Sequence, residues 1–485
     1  MTFYFYDLET SGFSARHARI MQFAGQRTDL DLKPIGQPDN IYIKMTPDVL
    51  PDPDAVLVHG ITPQKTLKHG VTEAQFCQYL TSQVCTDGTV MVGFNNLRFD
   101  DEFIRFTLWR NFHDAYEWHW KNDCSRWDIL DVVRMTRALR PEGLEWPVDS
   151  NGKASNRLEL LSKINGLNHS NSHDALSDVE AVLALAQLVK LAQPKLFDYL
   201  LNIRDKKKVK ALVTKGDPLV YTSGRYSSEY YKTTVAVMLA EHPDKDAALM
   251  YDLREDPEKF LNLSPEELVK LWTAWDEDDD YFPVKALSYN RCPAVAPLDA
   301  LDKKTEERLK LDMSVIHANL DKLSNNKKFA GSIVSAAARL KRPSQSSLVA
   351  DEQKVDGQLY DDFIPDSDKT RMSALRSAEP EELSNLGPDL TDERLKALLP
   401  LYKARNFPKS LTGDEKKHWD GFRYRRLLSG DGQSRAARYF RRIEQLMGSA
   451  STNDKQRFIL EDLNQYGDSV IPGGVLDVSQ HAAAQ

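Results

Sequence analysis

The sequence has little cysteine, no long apolar run and no excess of positive charge, and each shortage excludes a class of protein. Its 485 residues include four cysteines, Cys77, Cys85, Cys124 and Cys292, with no CxxC pair. This spacing predicts neither a zinc site nor a disulfide framework. No run reaches the roughly 18 apolar residues of a membrane span, and the N-terminus lacks a basic leader and an apolar signal segment. We therefore expect a protein of the reducing cytoplasm, with no membrane partner and with cysteines that serve as packing residues.

The charge balance argues against a general nucleic-acid coat protein. Lysine and arginine number 64 and aspartate and glutamate 72, a net charge of −8, whereas non-specific DNA affinity rests on neutralised phosphates. Three short stretches are nevertheless dense in base, at residues 204–210, 423–426 and 435–442. We interpret each as a solvated helix face, with phosphate binding as the alternative.

The first 190 residues alternate strand and helix patterns. Short apolar runs predict strands and 3.6-residue periodicity predicts helices, with strands at 2–6, 20–27, 41–44 and 89–93 and helices at 102–111, 127–139, 158–165 and 175–191. This pattern predicts an α/β domain with a mixed sheet.

The remaining chain changes character twice. After residue 193, short apolar runs broken by Pro, Gly and Asp predict a small β-rich unit, with one helix from Ser264 to Trp275. Residues 342–358 are polar and aperiodic, which predicts a linker. The chain beyond residue 359 has helical periodicity, and its last ten residues have no core pattern.

Four carboxylates occupy positions where burial would be costly. In the stretch FYFYDLETSG, Asp7 and Glu9 follow an aromatic run, and side chains two apart in a strand share a face. Asp100 opens a helix after an apolar strand, and Asp178 lies in an Ala- and Leu-rich helix, five residues after His173. Acidic groups on the inward side of such elements need a cation.

Four oxygen donors suit Mg²⁺, which favours carboxylates, water and substrate phosphates in near-octahedral geometry. Two such ions, about 3.5–4 Å apart, clamp the attacking and leaving oxygens of an in-line phosphoryl displacement. A histidine whose pKa lies near neutrality can take the proton from an attacking water. His173 is the candidate for this role.

Each of these residues also has a purely structural alternative. Asp7 could cap a turn, Glu9 could lie on the surface, Asp100 could be a helix N-cap, and His173 could be a loop residue before Asp174 caps the next helix. Their combination in this order favours the metal site.

The order D-x-E, then F-D at a helix start, then H-x4-D resembles the DEDDh branch of the 3′→5′ exonuclease superfamily. Longer stretches are similar to the bacterial exonuclease I family: YDLETSG, GFNNLRFDDEFIR, RWDILDVVR, LRPEGLEWP, NRLELLSKINGLNHSNSHDALSDV, QPKLFDYL, NRCPA, DGQLYDDFIPDSDK and YKARNFP. The resemblance covers nearly the whole chain.

This resemblance implies an α/β architecture of three domains around a DNA channel. A ribonuclease H-like exonuclease domain with a mixed sheet would span 1–192, a small β-rich SH3-like domain 193–348 and a helical domain 349–475, with a disordered tail at 476–485. The composition breaks near 192 and 350 are compatible with this division.

The resemblance also implies roles for individual residues. Asp7, Glu9, Asp100 and Asp178 match the family's metal-binding carboxylates, which hold two Mg²⁺ ions that Mn²⁺ can replace, and His173 matches its catalytic histidine. Glu9 is also a substrate-binding position.

Five further residues match substrate contacts of the family. Arg157 matches an arginine that contacts the terminal nucleotide, and Arg105, Tyr116, Trp120 and Arg134 match positions along the single-stranded DNA path. Bases stack on aromatic side chains in sequence-independent binders. The alternatives are plain core aromatics for Tyr116 and Trp120 and helix-surface charges for Arg105 and Arg134.

The function implied is Mg²⁺-dependent, processive removal of 5′-mononucleotides from the 3′ end of single-stranded DNA, in repair and recombination. The protein would be a monomer of the bacterial cytoplasm, with single-stranded DNA-binding protein as a partner. One alternative is an RNA-trimming or proofreading exonuclease, which the long additional domains disfavour. The other is a non-catalytic single-stranded DNA-binding scaffold, which the intact carboxylate set disfavours.

Overall fold

The computed structural model describes residues 1–167, 174–274, 282–340, 351–430 and 432–472. Its N-terminal part is built on a five-stranded sheet of order β3-β2-β1-β4-β5, in which β1, β4 and β5 are parallel and β2 is antiparallel to β1 and β3. The strands are β1 Thr2–Thr10, β2 Ile20–Thr28, β3 Asp39–Tyr42, β4 Thr89–Gly93 and β5 Ser125–Asp128. The predicted mixed sheet is confirmed.

Seven α-helices accompany this sheet among the described residues: α1 Pro53–His59, α2 Pro63–His69, α3 Glu73–Tyr79, α4 Asp100–Arg110, α5 Ile129–Leu139, α6 Leu158–Ile164 and α7 Ala175–Ala192. Three of these helices, α1, α2 and α3, were not predicted from the sequence, and each has seven residues. Each begins at a side-chain cap, at Asp52, Thr62 and Thr72 respectively.

Several predicted boundaries in this domain are wrong. The strand predicted at 41–44 is found at Asp39–Tyr42, and the helix predicted from residue 102 begins at Asp100. The helix predicted from residue 127 begins at Ile129, because Trp127 belongs to β5 and Asp128 caps the helix by accepting the Leu130 N–H. Strand β1 continues to Thr10 instead of ending at residue 6. Asp7 and Glu9 therefore lie within the strand.

Strand β1 is the buried centre of the sheet. Phe3 and Phe5 belong to one core cluster, and Tyr4 and Tyr6 belong to the cluster on the opposite face. Because side chains alternate along a strand, Asp7 and Glu9 continue the face of Phe3 and Phe5. Helix α7 packs against β1 and β2 on this same side.

A second, antiparallel sheet of order β10-β6-β7-β8-β9 confirms the β-rich middle unit. Its strands are β6 Leu219–Thr222, β7 Thr233–Glu241, β8 Ala247–Asp252, β9 Val284–Ser288 and β10 Ala294–Pro297. The accompanying helices are α8 Pro194–Ile203, α9 Lys206–Val213, α10 Pro265–Thr273, α11 Lys303–Arg308, α12 Met313–Asn325 and α13 Lys327–Arg339. The predicted helix after Ser264 is confirmed to residue 273, and Trp275 lies outside the described residues.

The described C-terminal part is helical, as predicted. It comprises α14 Asp366–Ser377, α15 Leu383–Leu386, α16 Glu393–Asn406, α17 Gly413–Leu428, α18 Arg435–Met447 and α19 Asp454–Val470. Trp109 of α4 shares a core cluster with Leu395 and Tyr402 of α16. Helices α18 and α19 pack against α1. The predicted tail at 476–485 lies outside the described residues.

The linker prediction for 342–358 is wrong over its described end. Asp356 is 1% exposed and accepts hydrogen bonds from Arg19, Arg405 and Arg426 at 2.8–2.9 Å. Arg405 also donates to Asp48 at 2.8 Å. We call these five residues the buried charge cluster. The sequence predicted a solvated segment because the arginines that pair with Asp356 lie far from it in the chain.

One of the basic stretches is a solvated helix face, as predicted, and another is partly buried. Stretch 204–210 lies largely in α9 as a surface helix face, where Lys206 and Lys210 pair with Asp246, as interpreted. Stretch 423–426 does not fit that interpretation, because the side chain of Arg426 is 1% exposed in the buried charge cluster.

The predicted packing role of the cysteines is confirmed, because Cys77, Cys85 and Cys124 belong to a core cluster and Cys292 packs against another. Cys77, Cys85 and Cys124 are buried, Cys292 is half-buried, and all four are free thiols. Of the helices described, none combines the length and the apolar character needed to cross a membrane.

Candidate active site

Three carboxylates meet where β1 passes under α7. One oxygen from each of Asp7, Glu9 and Asp178 lies within 4.8 Å of the others. Asp7 and Glu9 share a face because they are two residues apart in β1. The N-terminus of α7 is fixed by its Asp174 cap, which accepts the Ser177 N–H at 3.3 Å. The sequence-distant Asp178 is thereby brought to the strand.

Asp100 lies beside this group at the start of α4. It is 5% exposed and close enough for its charge to raise the pKa of both Asp7 and Glu9. The next residue, Asp101, anchors α4 by accepting a hydrogen bond from Tyr6 at 2.5 Å and pairing with Arg126. This anchoring holds Asp100 next to β1.

The four carboxylates are electrostatically frustrated. Burial raises the pKa of Asp7 well above its ordinary value, and the charges of Asp100, Asp178 and Glu9 raise it further. Burial, then Asp178 and Asp100, raises the pKa of Glu9 to about 9. Burial also raises the pKa of Asp100, with Asp101 as its main charged neighbour. Such a site binds protons at neutral pH unless cations replace them, so the donor set fits divalent metal ions.

The raised pKa of Glu9 predicts a pH-dependent stability in chelator. Since the folded protein holds a proton on Glu9 up to about pH 9 and the unfolded chain releases it near pH 4.3, unfolding releases protons in this range. Stability from this group is complete at low pH and is lost as pH rises towards 9. Urea unfolding with EDTA should therefore show a steeper decline with pH for wild type than for Glu9→Gln. An equal decline of stability with pH in the two proteins would contradict the prediction. When Mg²⁺ replaces EDTA, the decline in wild type should be smaller.

His173 lies outside the described residues, as do residues 168–172. Its neighbour Asp174 is described, and its charge raises the pKa of both Asp7 and Glu9. From the sequence, Asp174 is predicted to be a helix cap alone. Its cap position next to the site signals an additional electrostatic role.

Arg105 and Tyr116 are in contact, and Trp120 lies four residues after Tyr116 in the same domain. The Arg105 guanidinium lies 5.4 Å from the centroid of the Tyr116 ring and donates to Glu102 at 2.7 Å. Tyr116 is 39% and Trp120 58% exposed. Both rings are thus too exposed to be the core aromatics of the alternative interpretation.

Arg134 and Arg157 lie in different surroundings. Arg134 is 16% exposed, donates to Asp131 at 2.7 Å and lies against the backbone of Gly224 in the middle unit. It is therefore an interface residue and not a helix-surface charge. Arg157 is exposed at the N-cap position of α6.

A basic groove of about 1250 Å³ lies mainly on the middle unit and is also lined by Arg98 and Asp131 of the N-terminal part. Its cationic residues are Arg98, Arg225, Lys245, Lys285 and Arg291, with Asp131 and Asp244 as acidic neighbours. Burial lowers the pKa of Lys285 to about 7 against the opposing charge of Asp252. This groove could not be predicted from basic runs in the sequence, because its cations occur singly along the chain.

The fold and the carboxylate site define an exonuclease. Residues 4–186 match the family described as exonuclease, residues 204–337 the exonuclease I SH3-like domain, and residues 353–470 the exonuclease I C-terminal domain. The chain belongs to the exonuclease I family.

Individual relatives agree with this assignment. Exodeoxyribonuclease I of Haemophilus influenzae is 37% identical over 96% of this chain and 98% of its own length. A crystal structure of Escherichia coli exonuclease I with a dA16 oligonucleotide has a TM-score of 0.90 and 37% identity, and covers 97% of this chain and 100% of its own. A crystal structure of SSB and exonuclease I with an inhibitor has a TM-score of 0.87 and 36% identity, and covers 97% and 99%.

Proposed function

We propose that this protein is a divalent-metal-dependent exonuclease that removes 5′-mononucleotides from the 3′ end of single-stranded DNA, in repair and recombination. The convergence of Asp7, Glu9 and Asp178 within 4.8 Å carries the proposal. A similar chain, the E. coli enzyme, is known in complex with dA16. The basic groove offers a path for the strand's phosphates.

Asp7, Glu9, Asp100 and Asp178 are the residues that would hold the metal, and Mg²⁺ suits a set composed of carboxylate oxygens. We propose two Mg²⁺ ions, with Mn²⁺ as a substitute. When bound, such ions stabilise the charge that develops on the phosphate and lower the pKa of a bound water. The carboxylates' own contribution is a set of oxygen donors that is already positioned before substrate arrives.

The remaining residues would handle the strand and the proton. Glu9 and Arg157 bind the terminal nucleotide in this proposal, and His173 takes the proton from the attacking water. Arg105, Tyr116, Trp120 and Arg134 lie along the strand, with bases on the exposed rings and phosphates near the cations.

The proposal is tested by digesting end-labelled single-stranded DNA, duplex DNA and RNA with and without Mg²⁺. We expect mononucleotides from single-stranded DNA in Mg²⁺ and no products in EDTA. A DNA strand blocked at its 3′ end should resist, and one blocked at its 5′ end should not. Cleavage in EDTA, or faster digestion of RNA than of DNA, would contradict the proposal.

Replacing His173 with alanine tests its role as general base. We expect turnover to fall by about 10²–10⁴-fold, because this is the usual contribution of a positioned base. Raising the pH should partly restore the rate, since hydroxide then replaces the missing base. The Mg²⁺ concentration for half-maximal rate should not change. If the variant loses activity and also needs a higher Mg²⁺ concentration for its half-maximal rate, His173 is a metal ligand and not the general base.

Replacing Trp120 with alanine tests the proposed stacking surface. Its 58% exposed ring should contribute about 1–3 kcal/mol of strand affinity, the usual range for base stacking. KM should therefore rise about 5- to 150-fold with an unchanged Tm. Phe458→Ala is the matched control, because Phe458 is a similarly exposed ring (64%) on α19. Equal KM values for Trp120→Ala and wild type would remove Trp120 from the path.

The wider features of the proposal concern domains, partners and location. We propose domain limits of 1–192, 193–348 and 349–475, a choice supported by the separate family matches. We also propose that the enzyme is a processive monomer of the bacterial cytoplasm and docks on single-stranded DNA-binding protein, by analogy with the SSB–exonuclease I structure. Four free thiols favour a reducing compartment.

A further inference from the structure

A second cleft, lined by three arginines and three aspartates, lies where the C-terminal helices meet the end of β1. Its volume is about 660 Å³. The turn 11–18 and the loop 48–54 form one wall, and Arg435, Arg438 and Arg442 of α18 line the other. Ser11, at its edge, is two residues beyond Glu9 in sequence. The cleft shares no lining residue with the carboxylate group or the basic groove.

The three arginines lie on one face of α18, because residues three and four apart are neighbours on a helix. Arg442 is engaged, since it donates to both oxygens of Asp54 at 2.7–2.8 Å. Within the described part of the chain, no hydrogen-bond or ion-pair partner is found for the side chains of Arg435 and Arg438, although Arg435 is half-buried. Two adjacent cations are thus available to an anion.

The three acidic residues of the cleft lining already have partners. Asp52 caps α1 by accepting the Asp54 N–H at 3.0 Å. Asp54 pairs with Arg442, and Asp48 belongs to the buried charge cluster, where Arg405 donates to it at 2.8 Å. The local potential is visible at His17 in the cleft wall. Burial, together with the charges of Arg435 and Arg426, lowers the pKa of His17 to about 4. The imidazole therefore stays neutral at pH 7 and leaves the anion site to the arginines.

Phe13 adds an apolar surface at the same cleft. Its ring is 79% exposed and lies in the turn that lines the cleft. Arginine guanidinium groups bind phosphate through charge-assisted hydrogen bonds, and an exposed aromatic ring can stack on a base. The volume is in the usual range for a small-molecule site.

We propose that this cleft binds one nucleoside 5′-monophosphate, with the phosphate on Arg435 and Arg438 and the base against Phe13. The choice of ligand rests on the proposed function, because hydrolysis from the 3′ end releases this class of molecule close to Glu9. The ligand could come from the reaction or from the free nucleotide pool. In either case the cleft would hold a nucleotide outside the carboxylate site.

The test is calorimetric titration of the full-length protein with dTMP in EDTA, where no turnover occurs. We expect one saturable site, and thymidine should bind at least about tenfold more weakly, because it lacks the charged group. The double variant Arg435→Gln/Arg438→Gln should also lose at least about tenfold in dTMP affinity. Phe13→Ala should weaken dTMP binding and leave that of inorganic phosphate unchanged.

The matched control is Arg441→Gln/Arg457→Gln, which removes the same charge from α18 and α19 at exposed positions outside the cleft. It should bind dTMP like wild type, and so should Glu9→Gln, which alters the carboxylate site alone. Equal dTMP affinity of Arg435→Gln/Arg438→Gln and wild type would overturn the proposal. The proposal would also be overturned if Arg435→Gln/Arg438→Gln lost affinity for a 3′-blocked oligonucleotide but not for dTMP. The cleft would then be a binding site for the DNA strand.

Failure of the proposed function gives a different result. An inactive protein would show no Mg²⁺-dependent product in the digestion assay, whatever its dTMP affinity. A false cleft assignment would leave digestion intact and dTMP binding insensitive to Arg435 and Arg438. Initial rates of the double variant at low product concentration should equal those of wild type.

Discussion

Asp7→Asn is expected to lower the turnover of single-stranded DNA by at least about 10³-fold, because bound cations supply several kcal/mol of transition-state stabilisation. The Asp7 oxygen lies within 4.8 Å of those of Glu9 and Asp178, so its loss removes one donor from the whole group. The measurement is the initial rate on an end-labelled strand at saturating Mg²⁺. Asp31→Asn, at a 74% exposed aspartate on the surface, is the control and should keep the wild-type rate.

The same substitution should not destabilise the protein in EDTA. Burial and the charges of four neighbouring carboxylates raise the pKa of Asp7, so removing its charge relieves repulsion. The expected Tm in EDTA is equal to or higher than that of wild type, while stabilisation by Mg²⁺ should shrink. Turnover within tenfold of wild type would contradict the metal role of Asp7. A lowered Tm in EDTA would mean that the loss of activity reflects misfolding.

The catalytic strand could be predicted because its information is local. The spacing of two between Asp7 and Glu9 determines that they share a face once the aromatic run forms a strand. Asp178 was recognised because a carboxylate in an Ala- and Leu-rich helix needs a partner. The spacing could not predict that Asp178 lies beside Asp7 and Glu9, because this proximity depends on the packing of α7 against β1.

The basic groove and the short helices α1 to α3 could not be predicted for physical reasons. The groove draws Arg98 from the first sheet's domain and Lys285 from the second, so only tertiary structure makes it basic. Helices α1 to α3 have seven residues each, and isolated helices of that length are unstable in water. Packing against the rest of the protein stabilises them.

The composition break near residue 192 does not separate two independent cores, because the hydrophobic core is continuous across it. Trp127 of β5 packs edge-to-face on Phe197 of α8, with ring centroids 4.9 Å apart. The same core cluster continues into Leu219 and Val295 of the second sheet. A fragment ending near Pro194 would expose this apolar surface to water, at a cost that grows with the exposed area. The exonuclease domain is therefore best tested within the full chain.

Asp356→Asn is expected to lower the free energy of opening of the C-terminal helices by about 3–5 kcal/mol, the usual cost of leaving buried charges without their partner. Asp356 accepts hydrogen bonds from Arg19 of the N-terminal domain and from Arg405 and Arg426 of the C-terminal helices. Without its charge, three buried guanidinium groups would repel one another around Asp48. The pKa of Asp356 lies well below its ordinary value because these arginines outweigh the effect of burial, so its contribution is complete above pH 4 and is lost at lower pH.

Hydrogen exchange of α16 measures this opening directly, because a cooperative unit exchanges at a rate set by its own free energy. Asp351→Asn is the matched control in the same segment, since Asp351 forms a surface pair with Lys354 at 3.0 Å and should contribute at most about 1 kcal/mol. Equal exchange in the two variants would show that the buried charge cluster does not hold the helices to the N-terminal domain. If Asp356→Asn instead exchanges faster and also releases the strand after fewer cuts in the presence of trap DNA, the cluster is required for processive digestion, because an opened channel lets the strand diffuse away before it rebinds.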